Sequence, residues 1–386
     1  MRILSRLVAV PALAAAALAA AGLAAAGPAL ASPHRTHGLR PDGARHVVFV
    51  QTDNTAGNAI IAYHRRPDGT LRLAGRYPTG GLGGQLAGSV VDHLASQGSL
   101  SYDPGHGLVF AVNAGSDTVS VFGASGDRLG LRQVIGSGGT FPVSIAVHGN
   151  LVYVLNALGG GSVQGYRIAF GRLFPLPGSN RSLGLDPSAS PQFTNTPGQV
   201  AFSPSGAQLI VTTKANGNDI DVFGVNGDGR LAAAPVVNSE PGTVPFAISF
   251  DQAGHLVIAE AGTNALATFS LSPAGSVTQL AAVGTGQAAT CWVAPDRGLF
   301  FASNAGSADV STYAAGPAGQ LTLLGQTSTD AGTVDASASP SGRYLYVQTG
   351  GNGVVDAFAV GAGGTLKTVG SVTVPGAAGG EGIVAA

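Results

Sequence analysis

The sequence predicts an all-β fold, a seven-bladed β-propeller of four-stranded antiparallel blades, and three observations carry that prediction. One phrase, a short apolar strand, a polar turn, a second strand and a Gly-rich hairpin, recurs seven times. Its copies begin near Val47, Leu108, Leu151, Leu209, Leu256, Leu299 and Leu345, a spacing that suits blades of roughly 40 to 50 residues. The inner strands, finally, are one short at the start of the chain and one in surplus at its end.

The clearest copy runs Leu108-Val-Phe-Ala-Val-Asn113, then the turn Ala114-Gly-Ser-Asp117, then Thr118-Val-Ser-Val-Phe122. Hairpins between third and outer strands carry turn residues, as in Pro67-Asp-Gly69, Pro273-Ala-Gly275 and Pro317-Ala-Gly319. Inner strands are predicted at 100–102, 143–147, 200–202, 247–250, 292–294 and 334–337. The first repeat opens directly on its second strand at His46-Val-Val-Phe-Val50, whereas the chain ends on the orphan strand Gly380-Glu-Gly-Ile-Val-Ala385. The C-terminal strand is therefore predicted to complete the N-terminal blade, closing the ring and removing its open edge. Aromatic ends of the third strands, such as Phe122, Tyr166 and Tyr313, read as packing between blades.

Residues 1–31 read as a secretory signal peptide. Met1-Arg-Ile-Leu-Ser-Arg6 supplies the basic start, an Ala- and Leu-rich run follows, and Ala29-Leu-Ala31 fits the small-x-small cleavage pattern. An uncleaved anchor is the rival reading, against which Gly27-Pro28 interrupts the run. Residues 32–45 form a polar lead-in, and the propeller occupies 46–386. No later segment is apolar for long enough to span a bilayer, so a secreted, extracellular monomer is expected.

Composition narrows the function classes. The 60 Gly and 22 Pro show no Gly-X-Y period and suit a fold of many tight turns. With 10% charged residues and a net charge of -1, the chain offers no basic face to nucleic acid. The single cysteine, Cys291, excludes an internal disulfide and reads as a buried thiol beside Trp292. No Gly-x-Ser-x-Gly, His-Glu-x-x-His, phosphate loop or Cys-x-x-Cys is present.

In this topology the turns after second strands and the connections entering inner strands share one face, around the channel mouth, where propellers bind ligands. Asp53, Asn113, Asn156, Lys214, Glu260, Asn304 and Thr349 fall in one register at the ends of the second strands. Asp92, His93, Gln199, Asp335 and Glu381 arrive from the other set. Asp53, Asn113, Asn156, Gln199, Asn304, Asp335 and Glu381 are thus candidate ligand-binding residues for a small molecule. The Asn positions have a second reading as turn caps. Lys214 and Glu260 do not favour turns and are the catalytic candidates. Two connections on the same face are long, 77–99 and 173–199, and long loops on a regular scaffold tend to carry function. No cofactor is expected; rim carboxylates and Asn oxygens would suit Ca²⁺, although no spacing requires a metal.

The wording Ala111-Val-Asn-Ala-Gly-Ser-Asp-Thr-Val-Ser-Val-Phe122 and Ser203-Pro-Ser-Gly206 resembles the lactonase-type seven-bladed propellers, the family of 6-phosphogluconolactonases and carboxymuconate cyclases. The resemblance covers roughly 47–386 and implies a lactone or a carboxylated small molecule as substrate. Active members tend to show Pro-Arg-His before an inner strand and Asn-Glu-Leu after the following second strand. The matching places here read Pro197-Gly-Gln199 with Thr213-Lys-Ala215, and Pro245-Phe-Ala247 with Ala259-Glu-Ala261. Only Glu260 keeps the family residue type. With the leader, one reading is a secreted hydrolase or cyclase in which Glu260, as in the family, acts as general acid or base, while Lys214, where the chain departs from the family pattern, holds a carboxylate or oxyanion. The alternative is a non-catalytic extracellular propeller that binds a small ligand, glycan or protein at the same face.

Overall fold

The computed structural model describes residues 46–386; the signal peptide and lead-in expected at 1–45 lie outside the described residues. Seven antiparallel sheets of four main strands form the blades, as predicted. Second strands such as Leu108–Asn113 and Leu256–Glu260 are buried along their whole length. Each is covered on both faces by neighbouring blades, so it reads as a continuous apolar run rather than an alternating one. Outer strands such as Val277–Gly284 are largely exposed. In the third blade an extra two-residue strand, Arg181–Ser182, pairs with Ser162–Ala169.

The aromatic residues tie blades together through their hydroxyls. Tyr166 donates to Gly136 O (2.5 Å), Tyr153 to Gly229 O (2.8 Å) and Tyr313 to Val283 O (3.0 Å). Between the seventh blade and the first, Tyr344 and Tyr346 donate to Pro67 O (2.6 Å) and Gly69 O (2.9 Å). Each bond reaches the edge of an adjacent sheet and satisfies a buried phenol.

The ring closes where the sequence placed the closure. Ile383–Ala385 pairs antiparallel with Val47–Gln51, setting Val48 opposite Ala385 and Val50 opposite Ile383. The strand starts later than Gly380 because Gly382, at φ 111, turns the chain. That turn aims Glu381 into the hub.

The axis of the ring is filled. Residues 91–99, the end of the first long connection, cross it and bond to blades on opposite sides. The Gln97 side chain pairs with Val293 twice, donating to its O (2.9 Å) and accepting from its N (3.0 Å). Ser96 Oγ donates to Val143 O (2.9 Å) in the third blade, and Trp292 Nε1 in the sixth donates to Ser96 O (2.7 Å). Gln97 N reaches Gly198 O (3.2 Å) before the fourth blade, and His93 N reaches Gly379 O (2.8 Å) beside the first. We call this segment the plug.

Four carboxylates are buried where plug and closing segment meet: Asp53, Asp92, Asp335 and Glu381. Asp92 accepts from Leu94 N (2.8 Å) and Ser96 N (2.9 Å), folding the plug around itself. Glu381 Oε1 accepts from Gly98 N (2.9 Å), and Glu381 N donates to Asp53 Oδ2 (2.8 Å). Asp335 accepts from Ala336 N (2.9 Å) and Ile383 N (3.2 Å). Burial pushes Asp53 and Asp335 up to about 7 and Asp92 up to about 6. Glu381 is raised well above the usual carboxylate range by burial and then by the other three acids.

Two expectations follow from this closure. A chain ending at Pro375 loses the inner strand of the first blade and Glu381 together, and should lose on the order of 4 kcal/mol or more, the scale of a broken buried network. Urea melts of the two lengths check this; equal midpoints would refute strand closure as a stabilising element. The acids also set a pH dependence. Their folded values lie above the unfolded value of 3.8, so the folded state holds more protons between about 4 and 7 and loses stability as pH rises through that window. Lys214, lowered from 10.5 to about 7, acts oppositely at higher pH, since its penalty is relieved between 7 and 10.5. The melting temperature should therefore pass through a shallow minimum near neutrality, and Glu381→Gln should flatten its acid side.

Candidate functional site

A cavity of about 190 Å³ lies off the axis, between the plug and the fourth to sixth blades. Its walls are mostly apolar: Val91, Val244, Phe246, Ala261, Cys291 and Trp292. Two charged residues, Asp92 and Lys214, complete it. Both long connections cover it, the first through residues 88–95 and the second through Phe193 and Thr194.

Local irregularities aim the side chains inward. The inner strands of the fifth, sixth and seventh blades shift register between Pro245 and Ile248, Thr290 and Trp292, and Thr333 and Ala336. Such bulges re-aim a side chain out of the pleat, and the shifted positions include Phe246, Cys291 and Asp335. Phe246 and Trp292 meet edge to face at 5.1 Å. Lys214 adopts φ 54, in the left-handed region, at the head of the short 3-10 turn Lys214–Asn216. A long side chain rarely holds that conformation without compensation from its surroundings.

The compensation is visible. Lys214 Nζ donates to Ala95 O (2.6 Å), Phe193 O (2.7 Å) and Thr196 Oγ1 (3.3 Å), and lies 5.2 Å from the Phe246 ring centroid. One amine thus pins both long connections over the cavity. Burial pushes it down to about 7, against the pull of Asp92. The Cys291 thiol is pushed up to about 12 by the same burial. It stays a thiol at neutral pH, in keeping with the reading of an unreactive apolar residue.

The remaining sequence candidates separate by environment. Asn113 donates to Thr118 Oγ1 (3.1 Å) and Ser120 Oγ (2.8 Å), and Asn304 to Asp309 Oδ1 (2.6 Å) and Ser311 Oγ (2.9 Å). Asn156 donates to Ser137 O (3.3 Å) and Ser162 Oγ (3.5 Å). The three side chains are tied to polar groups of their own third strands or, through Ser137, of the connection before the blade, and Asn113 makes no capping bond to its turn. Gln199 Oε1 accepts from Ile248 N (2.6 Å), linking the fourth and fifth blades. Asp53, Asp335 and Glu381 belong to the buried closure.

Glu260 and Lys214 are not brought together. Glu260 Oε2 accepts from Thr263 Oγ1 (2.8 Å) within its own turn, and its nearest charge is Glu240. The titratable groups that act on Lys214 are Asp92 and the neutral thiol Cys291. Glu260 does not line the cavity, although its neighbour Ala261 does. Aligning the inner strands would have flagged Phe246 and Cys291, both near the start of a strand. Asp92 sits in a connection without periodicity, where no pattern marks it. Among the described residues no three of His, Cys, Asp or Glu are arranged to hold a metal ion.

The family description "Lactonase, 7-bladed beta-propeller" matches residues 260–381. Among curated proteins no sequence matches the chain significantly. Among solved structures, a periplasmic gluconolactonase of Pseudomonas aeruginosa superposes with TM-score 0.69 at 20% identity, over 87% of this chain and 98% of that one. A candidate 6-phosphogluconolactonase of Bacteroides fragilis gives TM-score 0.67 at 19% identity, over 86% and 96%. A virginiamycin B lyase of Staphylococcus aureus gives 0.53 at 12% identity, over 75% and 88%. The chain accordingly has the fold of the lactonase-type seven-bladed propellers, and its residues 260–381 match the description of that family.

Proposed function

We propose that the protein opens a small lactone, or forms one from a carboxylated molecule, in the cavity beneath the two long connections. The observation that carries this reading is Lys214, a buried amine at the wall of an otherwise apolar cavity with a single carboxylate, Asp92, as its charged partner. In hydrolysis the Lys214 N–H groups would stabilise the oxyanion that develops on the ester carbonyl. Asp92, raised by burial to about 6, would take a proton from the attacking water. The water oxygen bonds to the carbonyl carbon, the bond to the ring oxygen breaks, and the proton returns to that oxygen to leave a hydroxy acid. The base is thereby assigned to Asp92 rather than to Glu260. A volume of about 190 Å³ with apolar walls favours a compact ring with few hydroxyls.

One observation favours the non-catalytic reading. All three hydrogens of the Lys214 ammonium already have acceptors, and both oxygens of Asp92 accept backbone N–H bonds. A site so fully occupied could hold a ligand without turning it over.

The two readings part on δ-valerolactone, γ-butyrolactone and glucono-δ-lactone, followed by pH-stat. Turnover of δ-valerolactone above glucono-δ-lactone is expected. Lys214→Met should lower it roughly 100-fold, the cost of an oxyanion donor, and Asp92→Asn by a similar factor. Loss with Glu260→Gln instead would return the base to Glu260. No turnover on any of the three, with thermal stabilisation by a lactone that Lys214→Met abolishes, would establish the binding module.

Export is proposed with the same function, from the leader at 1–31. Protein recovered from the medium of an expressing culture should begin at Ser32 by N-terminal sequencing; an intact Met1 on membrane-bound protein would support the anchor instead.

A further inference from the structure

Among the described residues two cationic side chains are buried, Lys214 and Arg65. Lys214 is surrounded by acceptors. Arg65, the last residue of Ala59–Arg65, is 9% exposed, and its guanidinium has no hydrogen-bond acceptor among the described residues. Its Nε is buried and unpartnered, and no carboxylate of the described residues forms an ion pair with it. A buried charge without a counter-group is costly, and a fold seldom retains one that nothing engages.

Arg65 lines a second cavity, of about 920 Å³. This cavity opens among the turns leaving the inner and third strands, on the face opposite the plug. Arg343 lies there with its guanidinium 5.7 Å from the Tyr344 ring centroid, and His46 and His64 add two more nitrogen-bearing rings. Tyr102 and Tyr344, with Pro67, Pro104 and Pro340, supply flat apolar walls. Among the described residues no Asp or Glu side chain lines it.

We propose that this second cavity binds an oxyanion, carboxylate or phosphate, carried on a flat apolar body. Arg65 takes the oxyanion through its planar fork of N–H donors, a geometry that matches both anions. Arg343 and the Tyr344 ring hold the body. The volume is that of a site for a molecule larger than a single lactone ring. The site stands apart from the cavity at Lys214, on the other face of the ring, and does not depend on the lactone reading.

Isothermal titration of the purified protein with benzoate, phenyl phosphate, inorganic phosphate and benzyl alcohol tests it. Benzoate or phenyl phosphate should bind, and the tighter of the two identifies the anion. Benzyl alcohol should bind at least tenfold more weakly, and so should inorganic phosphate. Arg65→Met should weaken binding roughly 30-fold, the effect of removing a buried charged partner, while leaving the melting temperature without ligand unchanged or higher. Arg343→Met, at an exposed position, should weaken it a few-fold and provides the test if Arg65→Met fails to fold. Absence of binding by either aromatic anion, unchanged binding in both variants, or inorganic phosphate binding as tightly as phenyl phosphate would each overturn the proposal.

Discussion

Everything at the centre of this molecule depends on the plug. Seven twisted sheets arranged in a ring leave a shaft lined by the inner strands, whose polar atoms need partners. Residues 91–99 supply them, with Gln97 alone answering Gly198 in one direction and both polar backbone atoms of Val293 in another. A segment bonded to opposite walls fixes their separation. It also bars the axis, so that any cavity on this face must lie to one side.

That displacement explains the asymmetry of the site. A sevenfold scaffold offers seven equivalent second-strand ends, and Lys214 is the one among them that lines this cavity. The plug leaves Val91 and Asp92 over the fourth to sixth blades, and the second connection adds Phe193 and Thr194. Lys214 then holds both loops through Ala95 O and Phe193 O. The amine that would act on a ligand is also the one that keeps the cover in place. Binding and loop order are consequently coupled: a ligand that draws Lys214 toward itself releases a hydrogen bond from one loop or the other.

The parts of this architecture that repeat were legible in the sequence. Strand periodicity gave seven blades, and the missing first inner strand with its surplus partner gave the closure of Ile383–Ala385 onto Val47–Gln51. The Asn register was legible as well, though not the partners it finds, Ser120 and Ser311 on the third strands. What escaped was azimuth. Register along a strand places Lys214 and Glu260 at one height on the ring, but it carries no information about which way each side chain faces. Glu260 turned to Thr263 three residues on, a local partner always within reach. Asp92 escaped for another reason. It lies in a connection where no period exists, and its place is set by its own bonds to Leu94 and Ser96.

The treatment of charge ties the two faces together. The chain has 20 acidic residues, and ten of them are buried among those described, the reverse of the usual surface preference. Carboxylates at the hub answer this by accepting backbone N–H bonds and by holding protons near neutrality, so that burial costs them little net charge. A guanidinium has no such escape, because it stays protonated throughout the accessible pH range. Lys214 and Arg65 thus mark the extremes: one buried cation, lowered to about 7, that is ringed by acceptors, and one whose buried Nε meets no acceptor among the described residues. The first is self-sufficient in the free protein. The second would be completed by an anion from outside, and the face opposite the plug is for that reason the one on which the proposed anion site lies.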